Sequence, residues 1–305
     1  MSGAAEILNA VRAVVLAGGF AYAARADLRS REVSDALWQI LGAIAIVLGA
    51  LAVAPGGALP LLLWIVVGAF ALEHLLPWDD ALGERHAAMV PAIELAIYAV
   101  VIALVSGSVY RWGIGPSAVP LEVIAAVVTV VLARVLFEAG VLYGGADAKA
   151  LIVAGVLVPI FAVPLLWAPA STSAVLAFLP FSVALLTNAA VLSVAIPIAI
   201  AVRNVARGEF SFPRGFTGFT VSVEELPHRF VWVRDSALGE DTLAEDAETS
   251  ADDTRRRTEI ATRLRDRGVR RVWVTPQLPF LVLMAAGAFA ALLAGNLLLD
   301  LFAAL

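Results

Sequence analysis

The chain has no cysteine, a single lysine (Lys149), three histidines and only 15% charged residues. Without cysteine there is no disulfide framework, no thiolate nucleophile and no cysteine-based zinc site. His74, His86 and His228 have no ligand spacing, so neither a metal nor another cofactor is expected. The net charge is −5 and the arginines sit in particular loops rather than along one stripe, which excludes the basic footprint of a nucleic-acid binder. What is abundant is apolar: 61% of 305 residues, too little polar surface to cover a soluble globule of this size. The chain therefore reads as an integral membrane protein. Its acidic, lysine-poor balance suits either a high-salt cytoplasm or a GC-rich genome.

Crossing about 30 Å of hydrocarbon takes about 20 apolar residues. Windows of that kind fall at 5–24, 35–54, 58–76, 88–106, 120–140, 150–168, 174–202 and 277–303. Glu6 and Arg12 interrupt the first, and Ala54-Pro55-Gly56-Gly57 forms a tight turn between the second and third. Ala21-Tyr22-Ala23 has the small-residue pattern of a signal-peptidase site, but no basic region precedes Arg12. Cleavage there would also put Arg25, Arg29 and Arg31 outside, against the positive-inside rule, so an uncleaved span is expected. With the Asp27 loop cytoplasmic, alternation puts 77–87, 141–149 and 203–276 on the same side, and the outer loops keep only Arg111.

The expected fold is an all-α polytopic membrane protein of about 6–8 transmembrane helices with a small α/β cytoplasmic insert. Residues 1–202 form a transmembrane region, 203–276 the insert and 277–305 a C-terminal transmembrane helix. The insert carries thirteen acidic and thirteen basic residues. Its β-like runs are Phe219–Val223, Phe230–Val233 and Val272–Val274, and Thr254 to Arg267 reads as a helix with Gly268 as its C-cap. Asp235 to Asp253 is acidic and small, the composition of a mobile loop.

Two stretches place a carboxylate at the end of an apolar helix: Asp27-Leu-Arg29-Ser-Arg31-Glu-Val33 and Gly144-Gly145-Ala146-Asp147-Ala-Lys149. An ionisable group at that depth is costly and is a functional candidate by default. Two carboxylates held within a few ångströms share a proton, so one can accept a proton from water while the other donates to a carbonyl oxygen. Such a dyad hydrolyses an amide without a metal. Gly144 and Gly145 leave clearance for a substrate strand. The same residues also admit plainer roles: Asp147 as an N-terminal cap of the 150–168 span, and Asp27 as an interfacial anchor beside arginines.

The pattern Asp27-x-Arg29-x-Arg31-x-Val33-x-Asp35-x-x-Trp38 after a first span, with Gly144-x-Ala146-Asp147-Ala-Lys149 later, resembles the archaeal preflagellin (archaellin) and prepilin peptidases. These belong to the type IV prepilin peptidase family of aspartic membrane proteases. The similarity extends to Gly218-Phe219-Thr220, Val223-Glu-Glu-Leu-Pro227, Phe230-Val-Trp232 and Thr275-Pro276-Gln-Leu-Pro279-Phe280. The resemblance implies that Asp27 and Asp147 are the catalytic pair. It also implies that the protein, at the cell membrane and on its cytoplasmic face, removes the short basic leader (class III signal peptide) from archaellin and type IV pilin precursors. Ala146 stands where the bacterial branch has glycine, as in archaeal members with a hydrophobic residue there. The absence of cysteine gives no basis for the bacterial enzymes' pilin methylation. The spans exceed the six-helix core of the archaeal enzymes.

Supporting candidates are fewer. Lys149 lies two residues after Asp147, so in a helix the two point to different sides; it is either a snorkelling interfacial lysine or a group that tunes Asp147 or binds a substrate carbonyl. Arg25, Arg29 and Arg31 read as topology determinants, with the alternative that all three lower the pKa of Asp27. Arg134 and Glu138 share a helix face and read as a structural pair. Asp79, Asp80 and Glu84 are either a solvated acidic loop or an attractor for a basic leader. The partners expected are the lipid bilayer and precursor proteins, with no nucleic acid and an open oligomeric state. Two readings from other classes stay open: a proton-coupled transporter using Glu73, Glu94 and Glu122, or a non-catalytic scaffold of a surface-filament machine.

Overall fold

A computed structural model of the chain describes residues 3–76, 90–142, 144–160, 179–233 and 250–304. In chain order these form α1 (Gly3–Ser30), α2 (Asp35–Val53), α3 (Ala58–Glu73), α4 (Val90–Trp112), α5 (Leu121–Glu138), α6 (Gly145–Leu157), α7 (Phe181–Ser193) and α8 (Ala195–Ala206). Then come β1 (Phe219–Ser222), β2 (Val231–Val233), α9 (Ser250–Asp266), β3 (Arg271–Pro276), α10 (Phe280–Ala294) and α11 (Leu297–Ala304). The protein is mostly helical, with one small three-stranded sheet. Four stretches, Gly3–Ser30, Asp35–Gly56, Ala92–Trp112 and Phe181–Ala206, are long and apolar enough to cross a membrane. Ala58–Glu73 and Phe280–Ala294 are shorter apolar helices. This is consistent with a helical membrane protein.

The chain divides into two compact units. One comprises Met1–Asp27, Val33–Val191 and Phe280–Leu305; the other comprises Leu28–Glu32 and Leu192–Pro279.

In the first unit α6 is the central helix. Ala150 to Val158 are all buried, so this helix is apolar on every side, as a helix surrounded by others must be. It packs against α2, α3, α5 and α10. Gly155 permits the approach of α5: a Cβ there would lie 2.2 Å from the Thr129 methyl group. Thr129 in turn shares a 2.8 Å hydrogen bond with Ser182 of α7, tying three helices through one buried polar pair. Phe20 of α1 meets Trp38 of α2 edge-to-face, with ring centroids 6.2 Å apart.

Helix α1 runs on to Ser30, beyond the span end expected near residue 24, because Ala-Arg-Ala-Asp-Leu-Arg contains no helix breaker. It stops at Arg31, whose φ of 60° is the left-handed conformation that ends helices. Ser34 then caps α2, its hydroxyl accepting from the Ala36 N–H. Arg12, which interrupts the first span, is buried and donates to the Leu48 carbonyl at 3.2 Å within the field of Glu122. The buried guanidinium thereby has one acceptor and an opposite charge in its surroundings.

The second unit is built on β3, paired antiparallel with β1 on one side and β2 on the other. Val221, Val272, Val274 and Val233 alternate to one face, and α9 covers that face with Ala261 and Leu264. The three strands coincide with the β-like runs read from the sequence, and Gly268 at φ 75° follows α9 as a left-handed stop. Helices α7 and α8 are separated at Val194, where Pro197 has no N–H to offer the carbonyl of Ser193.

Candidate active site

The first unit brings Asp27 and Asp147 into electrostatic contact. Asp27 lies one turn before the end of α1, on the face that also buries Leu16, Phe20 and Ala23, and only 8% of it is exposed. Its Oδ2 accepts the backbone N–H of Leu281 at 3.2 Å. Leu281 is in the first turn of α10, where N–H groups have no intrahelical acceptor and the helix dipole favours negative charge. The end of one apolar helix thus inserts a carboxylate at the beginning of another.

Asp147 is the third residue of α6, ahead of the apolar run that begins at Ala150, and it is partly buried. Its carboxyl accepts the backbone N–H of Gly144, the residue that precedes the helix. This is the return half of a capping box, so the capping role weighed from the sequence exists, in the third position rather than at the cap itself. Burial, and then the neighbouring charge of Asp27, push Asp147 up to about 7, against the lowering effect of the Gly144 N–H. Near neutral pH Asp147 is therefore divided between its protonated and ionised forms, so the site can give and take a proton.

The two glycines differ. A Cβ on Gly144 would lie 3.0 Å from Asp147 Oδ2, whereas one on Gly145 would meet nothing within 4 Å. Clearance is thus a requirement of Gly144 alone. Ala146 packs against the apolar core of the unit.

Lys149 does not approach Asp147 as an ion partner. Its Nζ is 2.6 Å from Oδ1 of Asp35, the first residue of α2, and both groups are only partly exposed. This pair ties the first turn of α6, which carries Asp147, to the first turn of α2. Sequence reasoning quoted Asp35 without a role; its signal was an acidic residue in the opening turn of an apolar helix, with one lysine in the whole chain available to meet it. Trp38, one turn further along α2, is fully buried, and its indole N–H has no acceptor among the described residues. The role of Leu281 could not be read from its side chain, because the backbone does the work.

Arg29 and Arg31 belong to the second unit. Arg29 is exposed in the last turn of α1. Arg31 donates to the Gln277 carbonyl at 2.9 Å and lies 5.0 Å from the centroid of the Phe230 ring. Its contacts there fix it as a structural contact of the sheet unit.

Two further groups of charged side chains on the apolar helices are paired. Arg134 meets Glu94 at 2.9 Å and Glu138 at 2.8 Å, which adds Glu94 to the pair expected from spacing. His74 contacts Glu73 and the Tyr98 hydroxyl, each at 2.5 Å. Asp79, Asp80, Glu84 and His86 lie outside the described residues. Among the described residues no group of three or more His, Cys, Asp or Glu is placed to hold a metal ion.

Neither a search of protein-family models nor a search of curated proteins finds a match to this chain.

Proposed function

We propose that the protein is a membrane aspartic endopeptidase of the prepilin/preflagellin type, which removes the basic leader of archaellin and type IV pilin precursors at the cytoplasmic face. The observation that carries this reading is the pairing of Asp27 with Asp147, two carboxyls from separate helices of which one holds its proton to about pH 7. The motif resemblance around both residues supplies the substrate class. In this reading the shorter apolar helices α3 and α10 and the 18-residue α5 join the four long ones, giving about seven crossings, within the six to eight expected.

Two contacts support an assignment of roles. Asp27, whose Oδ2 accepts the Leu281 N–H at the start of α10, is taken as the ionised member, and Asp147, raised to about 7, as the protonated one. Asp27 takes a proton from water as its oxygen attacks the scissile carbonyl, and the Asp147 proton passes to the carbonyl oxygen. The resulting diol collapses: the C–N bond breaks, the departing amine takes the proton from Asp27, and Asp147 regains its own. The Lys149–Asp35 pair ties the first turn of α6, and with it Asp147, to α2.

The test is cleavage of a basic-leader precursor by membranes containing the intact protein, Asp27→Asn or Asp147→Asn, read as a mobility shift and as the new N-terminus. Cleavage by the intact protein and none by either folded variant is expected. Failure of the intact protein on several precursors, or full activity in either variant, would overturn the reading in favour of transport or scaffolding.

A further inference from the structure

The second unit holds a concentration of arginine that the peptidase reading does not use. Helix α8 is apolar as far as Val202 and then presents Arg203 in its last turn and Arg207 at its C-cap. Two cations at a helix C-terminus are ordinary, since the dipole favours them. The fold adds two more, Arg229 and Arg271, and these together with Arg207 stand close enough to Arg203 to repel it.

The carboxylates nearby are already engaged. Glu209 lies 2.6 Å from Arg271 and accepts the Thr220 hydroxyl at 2.5 Å; the Thr220 hydrogen bond, then Arg271, hold it below the usual carboxylate range. Glu225 lies 2.7 Å from Arg229. Glu209 also attracts Arg203 and Arg207, but four arginines set against Glu209 and Glu225 leave the cluster in excess positive charge. Arg203 is also immobilised: its guanidinium stacks on the Phe219 ring with its carbon 3.8 Å from the centroid, and its Nη1 is shielded with no acceptor among the described residues. A fixed, planar cation in excess positive charge favours a tetrahedral oxyanion.

The position in the chain says which oxyanion. These arginines begin where the apolar stretch Phe181–Ala206 ends, at the level of lipid headgroups. Just beyond, Phe210 and Phe212 each meet Phe216 edge-to-face while all three remain exposed, with Phe212 79% accessible. Exposed aromatics beside arginines are the composition of a surface seated in the bilayer interface.

We propose that Arg203 and Arg207, backed by Arg229 and Arg271, bind the phosphate of an anionic lipid headgroup and thereby seat the second unit on the membrane. The test uses the full chain in nanodiscs of phosphatidylcholine with or without phosphatidylglycerol, reading the lipid retained by native mass spectrometry and the thermal midpoint. Phosphatidylglycerol is expected to be retained in preference and to raise the midpoint. Each of Arg203→Gln and Arg207→Gln is expected to cut that retention about fivefold, and Arg265→Gln on α9 to leave it unchanged. Arg203→Gln loses the stack on Phe219, so the exposed Arg207→Gln carries the test should the first variant misfold. Equal retention of both lipids, or unaltered retention in Arg207→Gln, overturns the proposal. If inorganic phosphate in phosphatidylcholine discs raised the midpoint as much as phosphatidylglycerol does, the lipid assignment would also fall, in favour of a soluble anion.

Discussion

Two groups of carboxylates in the helical unit end in different electrostatic states. At Glu94, Arg134 and Glu138 an arginine lies within 3 Å of both carboxylates and offsets part of their charge. At Asp147, burial and then the charge of Asp27 raise the carboxyl to about 7, so it holds a proton into the neutral range. The first arrangement lowers the cost of placing charge on apolar helices; the second maintains that cost and holds a movable proton. Composition alone would rank the clusters together. The difference lies in what each carboxylate faces, and it separates a structural contact from a candidate for chemistry.

The largest effect expected from breaking this contrast is on cleavage. Asp27→Asn or Asp147→Asn should each lower the rate of leader removal by about 10²–10⁴-fold or more, measured on precursor in membranes, while Arg134→Leu should leave the rate near that of the intact protein. The pH profile sharpens the same comparison. The Asp147 proton is present below about 7 and lost as pH rises through that value. Cleavage should therefore fall about tenfold per pH unit on the alkaline side, a limb that Arg134→Leu should not move.

A smaller effect is expected where position rather than chemistry is disturbed. Lys149→Met and Asp35→Asn should each reduce kcat by about tenfold with KM less affected, and the double variant should be no worse than either single one. Restoration by Lys149→Arg would show that the charge pair, rather than the amine itself, is what counts. Gly144→Ala should reduce cleavage to a similar degree, because its Cβ would press on Asp147 Oδ2. The same change at Gly145 meets open space and should leave cleavage intact, with a stability gain of about 0.5 kcal/mol. Smallest of all, Arg134→Leu should lower stability by about 1 kcal/mol or less, read as a thermal midpoint, since the pairs it breaks are partly exposed.

Local pattern made much of this legible in advance. The tight turn at Ala54-Pro55-Gly56-Gly57, the strands around Val221, Trp232 and Trp273, and the end of α9 at Gly268 follow from residues within one turn of each other. The extension of α1 to Ser30 was not anticipated, because a hydropathy window ends where charge begins, whereas a helix ends where its backbone must turn, here at Arg31. The partnership of Arg134 with Glu138 was readable from spacing, and that with Glu94 was not, since it joins residues forty positions apart.

The sequence by itself determined that the chain is mostly apolar helix, that two carboxylates stand at helix ends, and that a polar β-containing segment precedes the last helix. These depend on hydrophobic period and local turn chemistry, which neighbouring residues specify. Only the tertiary structure decided that the N–H of Leu281 meets Asp27, that Lys149 belongs to Asp35, and that Gly144 rather than Gly145 requires a bare backbone. Those outcomes depend on which helix ends pack side by side, and a contact between residues 254 positions apart leaves no periodic trace along the chain.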